Sequence, residues 1–263
     1  MLRRPCTGRP YGPVSTALAL ILQTLLSAVE KRKESRDVIH EMSYAVQGAI
    51  RQEKRFEVLA NHMANAATTG FKTQTLSFDR MLQAHMNIDT TQGDLLPTGN
   101  PLDLAISGDG YFKIQTDQGI RYTRNGTFLL NNQGTLVTGE GNEVMGENGT
   151  ITIVGDNLEI SESGEIRVDG AVVGKLSIVD FEMAGLLEKR GDSLFAYNGK
   201  EADEIEPEQF KVVQGTLEQS NVETVAEMTR MIETNRFYES FQKLMQTIDE
   251  LNAKAISDVG QVS

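Results

Sequence analysis

The chain contains no tryptophan, and only 6% of its 263 residues are aromatic. Pockets for small organic ligands are lined largely by aromatic and apolar side chains, so this scarcity argues against a small-molecule substrate. The single cysteine, Cys6, excludes an internal disulfide and leaves no second thiol to complete a zinc site. His40, His62 and His85 are too scattered to suggest a metal cluster by spacing. Basic residues number 25 against 37 acidic ones, and the net charge of −12 disfavours a nucleic-acid partner. No Gly-x-Ser-x-Gly elbow occurs, and Gly108-Asp109-Gly110 lacks the third glycine and following helix of a phosphate cradle, so it reads as a turn before a strand at Tyr111. Carboxylates such as Glu201 and Asp203 stand in a polar run with Glu204, Glu206 and Glu208 around Pro207, which reads as a solvated loop and not a buried acid–base pair. The expectation is a protein that is not an enzyme and holds neither cofactor nor metal.

What is present begins with a distinct first segment. Arg3, Arg4 and Arg9 precede an apolar run from Val14 to Val29, followed by Glu30, Lys31, Arg32, Lys33 and Glu34. Ser15, Thr16, Gln23, Thr24 and Ser27 interrupt the run, which falls short of the roughly 20 apolar residues of a membrane span. Residues 1–41 therefore read either as a secretion leader cleaved near Ala28 or as residues ahead of a true start at Met42.

The rest, with 39% hydrophobic residues in the whole chain, can build a core. Residues 42–66 carry no proline, and positions 46, 49, 53, 56, 60, 63 and 67 alternate three and four apart with only Glu53 polar. This spacing predicts a helix with a narrow seam including Val46, Phe56 and Met63, stopped by Gly70. A connecting segment spans 67–101. Over 102–213 the period changes to short alternating runs divided by glycines, beginning at Tyr111, Ile120, Thr127, Thr135, Thr150, Leu158 and Glu165. These predict an antiparallel β-body, with a hairpin at Asn125-Gly126 and turns at 117–119, 131–134 and 163–164. Residues 182–213 stay ambiguous. In the C-terminal segment 214–263, Phe237, Phe241, Leu244, Ile248, Leu251 and Ala255 recur at alternating intervals of four and three on a stretch free of glycine and proline. They suit a coiled-coil seam or an ordinary amphipathic helix packed on its own domain, with Ser220 and Asn221 as N-cap candidates. The fold class is α+β: a central antiparallel β-rich body flanked by long N- and C-terminal helices that pair in a coiled-coil-like axial core.

Three stretches carry a resemblance. Leu59-Ala60-Asn61-His62-Met63-Ala64-Asn65-Ala66 runs into Thr69-Gly70-Phe71-Lys72, and Gly215-Thr216-Leu217-Glu218-Gln219-Ser220-Asn221-Val222 precedes Glu227, Met231, Ile232, Arg236 and Tyr238. Between them stand Leu102-Asp103-Leu104-Ala105-Ile106, the run from Gly108 to Phe112, and Tyr122-Thr123-Arg124-Asn125-Gly126-Thr127-Phe128. Together they resemble the bacterial flagellar rod and hook family over nearly all of 42–263, although His62 and Met63 stand where the family usually shows Asn and Leu. About 30 residues separate Phe71 from Leu102, a short interval that favours the proximal-rod member over the distal rod or hook.

The resemblance implies a structural subunit of the periplasm-spanning basal-body rod, exported through the flagellar type III apparatus without cleavage and assembling with copies of itself and other rod proteins. Torque would pass from motor to hook through its terminal helices. It assigns subunit assembly to Val46, Phe56, Asn61, Met63, Asn65, Gly70, Phe71, Glu218, Ser220, Asn221, Val222, Arg236, Phe237, Tyr238, Phe241, Leu244, Ile248 and Leu251. The competing readings are a distal-rod member, a secreted β-rich adhesin with residues 1–41 as its signal peptide, and a hydrolase on the same β-body.

Overall fold

The computed structural model describes residues 46–78, 84–191, 193–200 and 203–260. The expectations for residues 1–41, the start at Met42 and the role of Glu201 lie outside the described residues. By internal contacts the chain divides into two units, residues 53–240 and the two chain ends. Among the described residues, the second unit consists of helical residues 46–52 and 241–260.

Helix α1 covers residues 46–64, and helix α2 covers Thr224–Gly260. They contact each other through His62 and Glu227, around an antiparallel β-rich body. The α1 end is closed by Asn65, whose amide Nδ2 donates to the Asn61 carbonyl and whose Oδ1 accepts from the Thr68 hydroxyl. These bonds satisfy polar groups that a helix end leaves open. Helix α2 starts at Thr224, three residues beyond Asn221, so Ser220 and Asn221 do not cap it. The Ser220 hydroxyl accepts from the Val222 amide instead, and the Asn221 side chain turns into the body. Among the described residues no helix is long and apolar enough to cross a membrane.

The body is built largely from strands where the sequence suggests them, except that of the expected run 150–154 only Thr150 lies in a strand, Thr152 making an isolated bridge to Thr135. Strands β1 (Gln74–Phe78) and β2 (Ala84–Ile88) form a separate hairpin, and β3 (Leu95–Pro97) and β4 (Leu104–Gly108) follow. The main sheet contains β5 (Tyr111–Thr116), β6 (Gly119–Thr123), β7 (Phe128–Leu130), β8 (Leu136–Thr138), β9 (Glu143–Gly146) and β10 (Gly149–Thr150). A three-stranded sheet holds β11 (Leu158–Ile160), β12 (Glu165–Val168) and β13 (Ala171–Lys175). The ambiguous region supplies β15 (Leu187–Arg190), β16 (Leu194–Tyr197) and β17 (Glu204–Ile205) after β14 (Ile178–Phe181), and most of β18 (Phe210–Gln214); β19 (Thr216–Glu218) follows in the C-terminal segment.

Strand β5 contributes to two hydrophobic cores. Phe112 and Ile114 enter a large core with Leu104, Phe128, Leu136, Val144, Ile166 and Leu176, whereas Tyr111, facing the other way, joins Tyr122, Phe181, Leu187 and Phe195 in a second. Successive side chains on a strand point to opposite faces, so one strand serves both cores. Phe112 meets Phe128 edge-on at 5.1 Å, and Tyr122 meets Phe181 edge-on at 4.8 Å.

Two expectations fail here for identifiable reasons. Asn125-Gly126 does not form a hairpin: β6 pairs with β5 and β16, while β7 pairs with β8. Neither residue has the positive φ that a type I′ turn requires. Gly126 instead passes so close to β4 that an added Cβ would lie 1.6 Å from the Leu104 carbonyl oxygen, and the Gly126 carbonyl accepts from the Leu104 amide. The tight hairpin turn lies at Asp169-Gly170, between β12 and β13, where φ is 51° and 83°. The acidic run is likewise not a solvated loop throughout. Glu204 lies in β17 and accepts from Lys113 Nζ at 2.7 Å and the Tyr122 hydroxyl at 2.6 Å, and Pro207 is buried.

Candidate assembly site at the junction of the chain ends

The segment that follows α1 and the segment that precedes α2 are tied to each other by strand pairing. Strand β3 pairs with β19, placing Leu95 opposite Glu218, and β4 pairs with β18, placing Leu104 opposite Gln214. The amides of Thr98 and Gly99 both donate to the Gly215 carbonyl, and the Gly215 amide donates to Asp103. The segment following α1 is therefore held against the segment preceding α2.

The Thr69–Lys72 run crosses this seam. Gly70, at φ 66°, donates its amide to the Glu218 carbonyl at 2.8 Å, and an added Cβ would lie 2.3 Å from the Asn125 amide nitrogen. Both the backbone conformation and the close approach require glycine. Phe71 is fully buried, with the Lys189 ammonium 3.1 Å from its ring centroid and the His62 ring edge-on at 6.2 Å. Asn221 closes the other side: its Oδ1 accepts from the Thr73 amide at 2.8 Å, and its Nδ2 donates to the carbonyls of Asp89 and Thr91.

At the centre lies a buried ion cluster. Lys72, Arg124 and Glu218 are 1%, 3% and 1% exposed. Lys72 Nζ donates to Glu218 Oε1 at 2.7 Å and to the Thr91 carbonyl at 2.6 Å. Arg124 Nη1 reaches Glu218 Oε2 at 3.4 Å, and the Gly93 amide donates to Oε1 at 3.0 Å. One carboxylate thus joins the segment after α1, the β-body and the segment before α2. Burial pulls the Lys72 ammonium below its usual range, partly offset by Glu218. The Arg124 guanidinium lies 5.1 Å from the Tyr111 ring centroid, and burial pushes the Tyr111 phenol up to about 12 against the pull of that cation. Arg124 Nε is buried without a hydrogen-bond partner. The guanidinium is therefore held by ring contact and two long bonds from Nη1, the second to the Ile106 carbonyl.

Beside the cluster, His62 Nε2 accepts from the Gln74 amide at 2.9 Å, and Nδ1 lies 3.3 Å from Glu227 Oε2. Glu227 Oε1 accepts from Arg230 Nη1 at 2.6 Å. Burial is the larger influence on His62 and lowers its pKa from the ordinary 6.5, while Glu227 opposes the shift and Lys189 and Arg230 reinforce it.

The sequence-assigned residues divide into two groups. Asn65, Gly70, Phe71, Glu218 and Asn221 come together in the junction, with Ser220 and Val222 beside them. Asn61 faces solvent, and Met63 is half-buried. On the helices, Val46, Phe56, Arg236, Phe237, Tyr238, Leu244 and Leu251 are exposed, whereas Phe241 and Ile248 are half-buried. The side chain of Ala255, at the end of the expected seam, lies outside the described residues. Sequence reasoning left out Lys72, Arg124 and His62, although they stand within the runs 69–72, 122–128 and 59–66. Their only sequence signal was charge or polarity within stretches anchored by apolar residues.

Residues 213–258 match the flagellar basal body rod FlgEFG protein C-terminal family, and residues 105–168 match the flagellar hook protein FlgE/F/G D1 domain. The flagellar basal-body rod protein FlgF of Caulobacter vibrioides is 33% identical over 230 residues, covering 80% of this chain and 94% of that protein. The chain belongs to the flagellar basal-body rod protein family. The FlgF of Mesorhizobium japonicum is 29% identical over 83% of this chain and 97% of its own, and the FlgG of Caulobacter vibrioides is 32% identical over 79% and 94%. This rod protein is thus a structural, non-enzymatic subunit of the basal-body rod, and its family membership implies assembly with other rod subunits. Its matched regions contain Arg124 and Glu218, two of the three charges in the buried cluster.

Proposed function

We propose that this rod protein is the proximal-rod, FlgF-like member of the family, and that its terminal helices pack with those of neighbouring subunits into a tubular core. In this reading the β-bodies lie outside the core and set lateral contacts, and torque passes from motor to hook through the helix packing. The chain reaches the periplasm-spanning rod through the flagellar type III export apparatus. The observation that carries the reading is the apolar surface left open on both helices: Val46, Ile50 and Phe56 on α1, and Phe237, Leu244 and Leu251 on α2, the last three 52%, 50% and 62% exposed. Burying each such side chain stabilises by about 1.5–3 kcal/mol, which suits a surface completed by a neighbour. The junction residues Gly70, Phe71, Glu218, Asn221 and Val222 hold the roots of the helices, while Phe237, Phe241, Leu244, Ile248 and Leu251 form the seam, with Val46, Phe56 and Met63 facing it.

The proximal assignment draws on two observations. Only the β1–β2 hairpin and β3 occupy the interval between Phe71 and Leu102 as regular elements among the described residues. The Caulobacter FlgF alignment spans 230 positions and the FlgG alignment 247 for nearly the same share of this chain, so the FlgG protein carries more residues without a counterpart here. Deleting the gene and inspecting purified basal bodies tests the assignment. Rod growth that stops at the proximal segment supports it, whereas rods lacking only their distal part indicate the distal member.

A further inference from the structure

Among the described residues, the junction contains one group whose hydrogen bonds depend on a single proton. A neutral imidazole has one donor and one acceptor nitrogen. His62 Nε2 accepts from the Gln74 amide at 2.9 Å, so the ring proton is on Nδ1, where it faces Glu227 Oε2 at 3.3 Å. The two bonds lead to different elements: Gln74 opens β1, and Glu227 lies in the first turns of α2, while His62 itself belongs to the last turn of α1. His62 is 4% exposed and Glu227 is 4% exposed, so water has little room to replace either bond.

Protonation affects the two bonds in opposite senses. An imidazolium carries a proton on both nitrogens, so its Nε2–H would point at the Gln74 N–H, donor against donor. The bond to β1 is then lost. At the other nitrogen the same charge faces a carboxylate, and a charge-assisted bond is about twice as strong as a neutral one. We propose that His62 is a proton-sensitive positioning residue: protonation releases the α1–α2 pair from the β1–β2 hairpin while tightening the link between the two helices. The charged groups around the ring are Glu227 and Arg230 from α2 and Lys189 from β15, with the Phe71 ring against its edge. Burial opposes the proton most, the two cations add to it and Glu227 favours the proton; the net lowering from 6.5 puts the release on the acidic side of neutrality. This inference does not depend on whether the subunit is proximal or distal, since it concerns the root of the helices within one chain.

Nuclear magnetic resonance of the full chain tests it, following the imidazole resonances and the protection of the Gln74 amide from about pH 7.5 down to about pH 5. The expected result is that His62 titrates below its ordinary 6.5. Gln74 protection should then fall by up to about tenfold per pH unit between 6.5 and that titration and level off below it, while the amides at the start of α2 keep theirs. In His62→Gln the side-chain oxygen can still accept from Gln74, and its protection should no longer follow pH beyond the intrinsic exchange rate. Protection of Gln74 that persists through the His62 titration would overturn the proposal, as would an unchanged pH profile in the variant. If the variant does not fold, the paired histidine and amide titrations of the natural protein decide alone.

Discussion

Glu218 is the residue on which the joining of the chain ends depends. Removing one partner of a buried ion cluster leaves the others desolvated and uncompensated, which costs about 3–5 kcal/mol. Glu218→Gln keeps an acceptor for the Gly93 amide but leaves Lys72 and Arg124 facing a neutral group, so a loss of about that size is expected in a urea unfolding midpoint. Lys72→Met removes the surplus cation and leaves Arg124 paired with Glu218, and should destabilise less. Equal losses in the two variants would argue that packing, not charge, dominates the cluster. Glycines separate by the same logic. Gly126→Ala drives a Cβ to 1.6 Å from a backbone oxygen, whereas nothing lies within 4 Å of Gly139. The first substitution should cost about 3 kcal/mol or more, and the second should stay within about 0.5 kcal/mol. His62 adds a pH dependence of known sign. Above 6.5 the ring is neutral in both the folded and unfolded chains; as pH falls below it, the unfolded chain takes up the proton first. Stability is therefore highest at neutral pH and is lost between 6.5 and the lower folded pKa, and urea midpoints of the natural protein and His62→Gln should diverge over that window.

At the level of elements, the strands were legible because alternation has a period of two and runs such as β9 and β12 bury every second residue. The turn chemistry was less so. Asn-Gly and Asp-Gly carry the same local signal, and the pairing partners decided between them: Asp169-Gly170 closes β12 onto β13, while Gly126 is drawn against β4. The Asn125 side chain is engaged as well, accepting from the Thr127 amide and the Thr69 hydroxyl. Helix α2 shows a related ambiguity. Its seam spacing was readable, but two of these five seam positions, Phe241 and Ile248, are partly covered, while Phe237, Leu244 and Leu251 stay open. A helix gains most of its stability from packing an apolar face, so the outer part of α2 should gain helicity on assembly. Circular dichroism of monomer and assembled rod would show this, and equal helicity in both would contradict it. Leu244→Asp, at an open position, should leave the monomer's unfolding midpoint within about 0.5 kcal/mol yet abolish swimming. Phe241→Asp should abolish swimming too, and normal motility in either variant would remove that position from the seam.

For the whole molecule, the division at residues 52/53 and 240/241 carries its own prediction. Residues 53–240 contain both cores, the ion cluster and the His62–Glu227 contact. Expressed alone, they should unfold cooperatively with a urea midpoint close to that of the full chain, while failing to join a rod. A broad or strongly shifted transition would show that the outer helix ends contribute to the stability of the body.

The sequence by itself determined the α+β class, the position of most strands, the absence of a catalytic signature and the family, because each depends on local periodicity or on contiguous runs of residues. Only the tertiary structure decided what the terminal signatures do. Lys72 and Glu218 stand 146 residues apart, and Arg124 is 94 from Glu218, yet the three share one buried site. Pairing between distant segments follows from strand register and the close approach of Gly70 and Gly126, and no local pattern encodes which carboxylate a given cation will meet.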